Sequence, residues 1–414
     1  MRLLVIVNVY RPDLGGGVLF ADLCEGLVDR GFDVEVRCAY PYYPEWEDKS
    51  GQNGMDIVTT AENGVRVSRY GIYIPKSPES FLARLCYESS FLLSLSRRLP
   101  RPGEFDLVMT FCPLVGGVGY GILAAVAAGT PLWLNVQDLS AEAAEATGIV
   151  RSSRLGSILR GVQRLLFNRA DVWSTISPVM RDRLTPLAGR GQTVHELPNW
   201  LHGTLALALA QTGATPARLA RDPLKLLYSG NVGGKQDLIR LCKALSNSSA
   251  AFTFDIRAGG TEAGRLQQWA AETGDSRFTI GALTDERSLA AALRACDLFV
   301  VTEKEGAGGS FIPSKLLPAL GSGTPVLAVC DLESPLGREM DTSGAGPSFR
   351  WTGLPRVVGL LEDPSALENV LAKWQKLASA RSLHFDRERI IDQYAALMRG
   401  VVSDSEKAPS PHHE

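Results

Sequence analysis

The 414-residue sequence predicts an α/β protein made of two doubly wound domains, each built on a parallel sheet. Three observations carry that expectation. The chain is longer than one hydrophobic core usually supports. Short β-branched apolar runs alternate with longer amphipathic stretches along nearly all of it. The alternation also runs twice, on either side of a small-residue stretch, GTLALALAQTGATPARLARDP, which reads as the linker at 204–223.

In the first series, apolar runs place strands at 2–9, 33–39, 65–70, 106–111, 131–137, 172–176 and 193–197. Amphipathic stretches place helices at 18–30, 81–99, 117–128, 154–169 and 178–188. Residues 107–137 carry no charged side chain, but glycines and prolines break the run. A buried strand–helix–strand passage accounts for it better than a membrane span, because parallel strands are covered on both faces. The second series places strands at 224–229, 252–257, 277–280, 297–302 and 325–329, with helices at 235–247, 262–272, 285–296 and 314–322. The expected domains are therefore 1–203 and 224–386, followed by a helix at 387–402 and a polar, disordered tail at 403–414.

Composition narrows the function before any motif does. Apolar residues make up 45% and charged residues 21%, a globular balance. A net charge of −2 lacks the basic footprint of a nucleic-acid binder, so no nucleic-acid partner is expected. The seven cysteines are scattered, with no Cys-x-x-Cys pair, and read as small core residues of a reducing, cytoplasmic protein. The opening MRLLVIVNVYRPD has no small-residue cleavage site and reads as a first strand instead of a signal peptide.

Candidate chemistry lies where strands run into helices, because free backbone N–H groups and the helix dipole favour anions there. Ligands of open α/β sheets also gather at the carboxyl edge of the strands. RPDLGGG (11–17) puts Gly15, Gly16 and Gly17 at such an edge, either as a ligand approach or as a tight turn. LYSGNVGGKQDL (227–238) brings Gly230, Asn231, Gly233 and Gly234 before Lys235 and Gln236, which open a helix and suit a phosphate. In 298–329 a strand runs into Glu303, Glu305, Gly306, Gly308, Gly309 and Ser310, then Pro313-Ser314-Lys315 begins a helix with Ser314 as its N-cap. There Lys315 is in position to reach a diphosphate and Glu305 to accept from sugar hydroxyls; the plain alternative is a solvated charged loop. Asp138, just past an apolar strand, either binds or deprotonates an acceptor hydroxyl or caps a helix over 139–147. Two arginine-bearing amphipathic stretches, 81–101 and 151–169, fit peripheral contact with an anionic membrane as well as ordinary covering of a sheet. No Asp-x-Asp pair occurs, and the histidines show no ligand spacing, so no metal is expected.

Taken in order, RPDLGGG (11–17), VQDL (136–139), LPNW (197–200), LYSGNVGGKQ (227–236), IPSKLLPALGSGTPVLA (312–328) and SGAG (343–346) resemble family-four-type glycosyltransferases of the colanic-acid and O-antigen kind. The resemblance implies the GT-B fold: two Rossmann-like domains facing across a cleft, the second holding the donor, and a C-terminal helix returning to the first. It implies a retaining enzyme, with no cofactor, that moves a sugar from a nucleoside diphosphate (UDP ahead of GDP) to a polyprenyl-linked or glycan acceptor, at the inner face of the cytoplasmic membrane. It also implies that the Gly15–Gly17 loop lets donor phosphate and acceptor approach the backbone. Some positions depart from the pattern. Ser310 and Pro318 stand where the family has two glutamates, the second of which holds the ribose hydroxyls. Asn231 lies where an arginine is common, and His202 where an aspartate is. These departures leave open a catalytically silent partner subunit and a sugar-nucleotide epimerase of the same fold.

Overall fold

A computed structural model describes residues 1–13, 15–51, 56–76, 80–138, 161–189, 192–213, 223–306 and 313–407. The chain divides into two compact units, Met1–Pro198 with Glu388–Glu414, and Asn199–Arg387.

The first unit holds an eight-stranded sheet: β1 (Arg2–Ile6), β2 (Asp33–Ala39), β3 (Ile57–Glu62), β4 (Val65–Tyr70), β5 (Leu107–Cys112), β6 (Leu132–Val136), β7 (Val172–Thr175) and β8 (Val194–Glu196). Its strand order is β3-β4-β2-β1-β5-β6-β7-β8, parallel except for β3 against β4. β1, β5 and β6 are almost wholly buried, as parallel strands covered on both faces must be. The uncharged stretch is β5, the helix Val115–Ala128 and β6, and no described helix is long and apolar enough to cross a membrane. β3 is an addition to the expected strands. Asn63 and Gly64, with φ 49° and 81°, form the two-residue turn that folds it back on β4.

The second unit holds six parallel strands: β9 (Leu224–Asn231), β10 (Phe252–Gly259), β11 (Phe278–Gly281), β12 (Leu298–Thr302), β13 (Val326–Val329) and β14 (Ser348–Phe349), in the order β11-β10-β9-β12-β13-β14. Alternate residues feed opposite faces. Leu226, Tyr228, Val300 and Leu327 join one core with Leu241 and Leu361; Leu227, Phe299, Val301 and Ala328 join another with Leu320 and Met340.

Several expected boundaries move. The stretch read as a linker begins with the helix Gly203–Gln211, whose Leu205 and Leu209 bury in the second core; 214–222 lie outside the described residues. The alanine–leucine run is helix-forming and finds an apolar seat, so it is not free to act as a tether. The supposedly disordered tail continues the last helix, Arg387–Lys407, leaving 408–414 outside the description. That helix belongs to the first unit. Tyr394 stacks on Trp133 and accepts a hydrogen bond from Asn135 Nδ2 at 2.8 Å, while Arg30 bridges Glu388 and Asp392.

Candidate functional site

Each sheet has a switch point, where the chain finishes winding to one side and starts on the other. In the second unit it lies between β9 and β12, so the crevice outside their carboxyl ends is where this kind of sheet takes ligands. The predicted residues of two separate motifs meet there. Gly230 adopts φ 139°, and a Cβ at that position would stand 2.2 Å from Lys315 Cε. The bare glycine therefore makes room for the stem of the lysine. Lys315 Nζ lies 5.0 Å from the centre of the Tyr228 ring and donates to the Asn231 carbonyl at 2.8 Å. The Tyr228 hydroxyl donates to the same carbonyl at 2.9 Å. Burial pulls the Lys315 ammonium down to about 8. A half-buried ammonium beside a glycine corner is still charged at neutral pH, and an incoming polyanion offsets the cost of its partial burial.

The neighbouring loop is anchored by its own backbone. Val232 N–H donates to Gly259 O at 2.7 Å, and Gln236 Oε1 accepts from Gly233 N–H at 2.9 Å. Lys235 and Gln236 do not open the helix. They occupy a turn, Asp237 is left-handed with φ 50°, and the helix runs Leu238–Ser246. Likewise Ser314 is not the N-cap: the short helix Leu316–Gly321 starts one residue later, from Lys315, without a side-chain cap. Pro318 sits in its first turn, where backbone N–H groups have no intrahelical acceptor, so its missing donor costs the helix nothing.

The carboxylates are arranged differently from the sequence expectation. Glu305 is exposed, 3.7 Å from Arg240. Glu303, two residues earlier, is 1% exposed, and burial raises its carboxyl to about 8. Sequence alone singled out Glu305. The signal for Glu303 was its adjacency to a strand that is apolar up to its last residue, which carries it into the interior. Gly306 is described and its N–H donates to Asp331 at 2.8 Å, whereas Gly308, Gly309 and Ser310 lie outside the described residues.

In the first unit the switch point lies between β1 and β5. Gly15 takes φ 64° and the helix Gly16–Val28 starts within the triple glycine, earlier than expected. A Cβ on Gly17 would stand 3.1 Å from Asp13 Cβ and 3.2 Å from the Tyr10 carbonyl, so this turn needs its glycine for close packing. Beside it, Asn8 Nδ2 donates to the Tyr42 and Tyr87 hydroxyls, a polar cluster that no motif announced. Asp13 is buried and accepts from the Tyr42 and Tyr43 N–H groups. Asp138 follows β6, its carbonyl 3.5 Å from Cys112 Sγ; the helix it was expected to cap lies outside the described residues.

Residues 15–200 match the glycosyl transferase 4-like domain. This chain is a glycosyltransferase. Along its length the glycosyltransferase is 28% identical over 358 residues to the putative colanic acid biosynthesis glycosyl transferase WcaI of Escherichia coli K12, covering 83% of this chain and 86% of that one. Its fold is that of the solved GT-B enzymes. α,α-Trehalose 6-phosphate synthase from Burkholderia multivorans superimposes with a TM-score of 0.69 at 13% identity, over 100% of this chain and 99% of that one. Anabaena HepE in complex with UDP-glucose superimposes with a TM-score of 0.61 at 16% identity, over 97% and 100%.

Proposed function

We propose that this glycosyltransferase moves a sugar from a nucleoside-diphosphate donor, UDP ahead of GDP, to a hydroxyl of a lipid-linked or glycan acceptor. In this reading it retains the anomeric configuration and serves cell-surface polysaccharide synthesis. The observation that carries the proposal is the corner formed by Gly230, Asn231 and Lys315 at the switch point of the second sheet. When the bond to the sugar breaks, negative charge gathers on the departing diphosphate. A lysine ammonium and fixed backbone N–H groups offset that charge with little rearrangement. Lys235, Gly233, Gln236, Gly306 and Ser314 belong to the same donor assignment, with Asp138 and the Gly15–Gly17 turn on the acceptor side. Glu305 has to exchange Arg240 for a sugar hydroxyl to take part. The relative named for colanic acid synthesis and the fold neighbour crystallised with UDP-glucose support the substrate classes.

Membrane contact is part of the proposal because of one exposed face. Leu82, Leu85 and Leu93 on the helix Phe81–Ser96 are 70%, 52% and 69% exposed, and Leu123 and Val126 on the adjoining helix are 45% and 78%. Arg97, Arg98 and Arg101, also exposed, follow the first of these helices. Apolar side chains beside cations are what an anionic bilayer surface binds.

Thermal-shift titration with UDP, GDP and dTDP tests the donor assignment, and diphosphate release from a panel of nucleotide sugars, with and without polyprenyl-linked acceptor, tests the transfer. A rise in melting temperature with UDP and acceptor-dependent release are expected. No shift with any of the three nucleotides refutes the reading and leaves a silent partner subunit; UDP binding without diphosphate release at turnover points to an epimerase.

A further inference from the structure

The donor corner contains a buried side chain that the transfer chemistry does not use. Glu303 stands at the end of β12, and one of its carboxyl oxygens accepts from Ser334 Oγ at 2.8 Å while the other has no hydrogen-bond partner among the described residues. Facing it are Lys235 from the loop after β9, and Cys330 and Asp331 from the end of β13. Ser334 in turn caps the helix Pro335–Ser343 through the Gly337 N–H.

The backbone around Glu303 ties several loops together. Glu303 N–H donates to Val329 O at 2.9 Å, and Trp351 Nε1 donates to Glu303 O at 2.6 Å. The next residue, Lys304, donates its N–H to the Lys235 carbonyl at 2.8 Å, and Gly306 N–H reaches Asp331 at 2.8 Å. The loop carrying Lys235 is therefore held by the segment that Glu303 anchors.

We propose that Glu303 is a positioning residue of the donor corner: its anchorage to Ser334 holds the 303–306 segment in place and, through the Lys304–Lys235 backbone bond, sets the loop that bears Lys235. Its effect on donor binding rests on the reading of this corner as a diphosphate site; its effect on the segment does not. Burial keeps the carboxyl protonated at neutral pH, since its affinity for the proton is raised to about 8. Ionisation puts a charge into the interior that Ser334 and Lys235 only partly offset, and the segment relieves it by opening to water.

Amide hydrogen exchange at Lys304 and Gly306, corrected for the intrinsic rate and measured between about pH 7 and pH 9, tests the anchor without any ligand. Glu303→Gln and Glu303→Ala are compared with wild type, and UDP affinity is measured by calorimetry at pH 7 on the same samples. In wild type, protection falls about tenfold across that range as the carboxyl ionises. Glu303→Gln keeps its protection throughout, and Glu303→Ala has lost it already at pH 7 and binds UDP correspondingly weakly. Wild-type protection in a folded Glu303→Ala, or the same fall in Glu303→Gln, overturns the proposal. If the alanine variant does not fold, the comparison of wild type with glutamine decides alone. Protection that follows the expected order while no sample binds UDP upholds the positioning role and refutes the donor reading.

Discussion

Replacing Gly230 with alanine tests the donor corner at its tightest contact. The new Cβ would stand 2.2 Å from Lys315 Cε, 3.1 Å from Cδ and 3.2 Å from Cγ, and the backbone at φ 139° is one that L residues rarely adopt. The backbone strain costs about 1–3 kcal/mol. The clash is with a flexible stem, so the lysine yields before the strand does. It then gives up its 2.8 Å bond to Asn231 O and its place over Tyr228, the latter worth about 0.5–2 kcal/mol. In the proposed donor site, a displaced Lys315 also loses the hydrogen bond it would make to the diphosphate. Bonds to charged groups contribute about 1.5–3 kcal/mol, which lowers UDP affinity about 10- to 150-fold. Calorimetric titration of UDP into wild type, Gly230→Ala, Lys315→Ala and the double variant reads this directly. Because the glycine acts through the lysine, its substitution adds little once Lys315 is gone, and the cycle shows coupling close to the smaller single effect. UDP affinity within about twofold of wild type in Gly230→Ala refutes the reasoning, as does strict additivity.

Three other predictions rest on separate features. The Lys315 ammonium is depressed to about 8, and the diphosphate needs it charged, so UDP affinity is full below that pH and declines as pH rises through it; Lys315→Arg, charged throughout, removes the decline. The Glu303 carboxyl is raised in the fold, so the stability linked to its proton is complete below the ordinary carboxylate range and is lost as pH climbs to about 8. Urea unfolding should show Glu303→Gln gaining on wild type by about 1.4 kcal/mol per pH unit over that interval, whereas a pH-independent difference argues against the buried acid. Leu82→Glu combined with Leu93→Glu should reduce sedimentation with anionic vesicles and leave UDP affinity unchanged; undiminished sedimentation counts against the membrane face.

Much of the fold is readable locally. Runs such as LLVI, LVMTFC and LFVV are apolar or nearly so over a strand's length, as strands of a parallel sheet covered on both faces are. The Asn63–Gly64 turn was also legible, but β3, IVTTAE, shows neither a continuous apolar run nor a strict alternation. Helix beginnings were harder. Ser314 and Lys235 look like starts by residue type, whereas the left-handed Asp237 and the position of Lys315 set the real ones. The alanine–leucine stretch after Gly203 misled for a related reason, since low complexity does not reveal whether an apolar seat awaits it.

By itself the sequence determined the parallel α/β architecture, the glycine-rich strand ends and the lysines near them, because these follow from local pattern and from the chemistry of free N–H groups. Only the tertiary structure decided which of those groups meet. Asn231 and Lys315 are 84 positions apart, and they come together because β9 and β12 are neighbours in the sheet. The same placement distinguishes Glu303 from Glu305: one lies under the strand ends and is tied to Ser334, the other in solvent with Arg240. Burial depends on what packs over a residue, and the residues that pack over Glu303 come from remote parts of the chain.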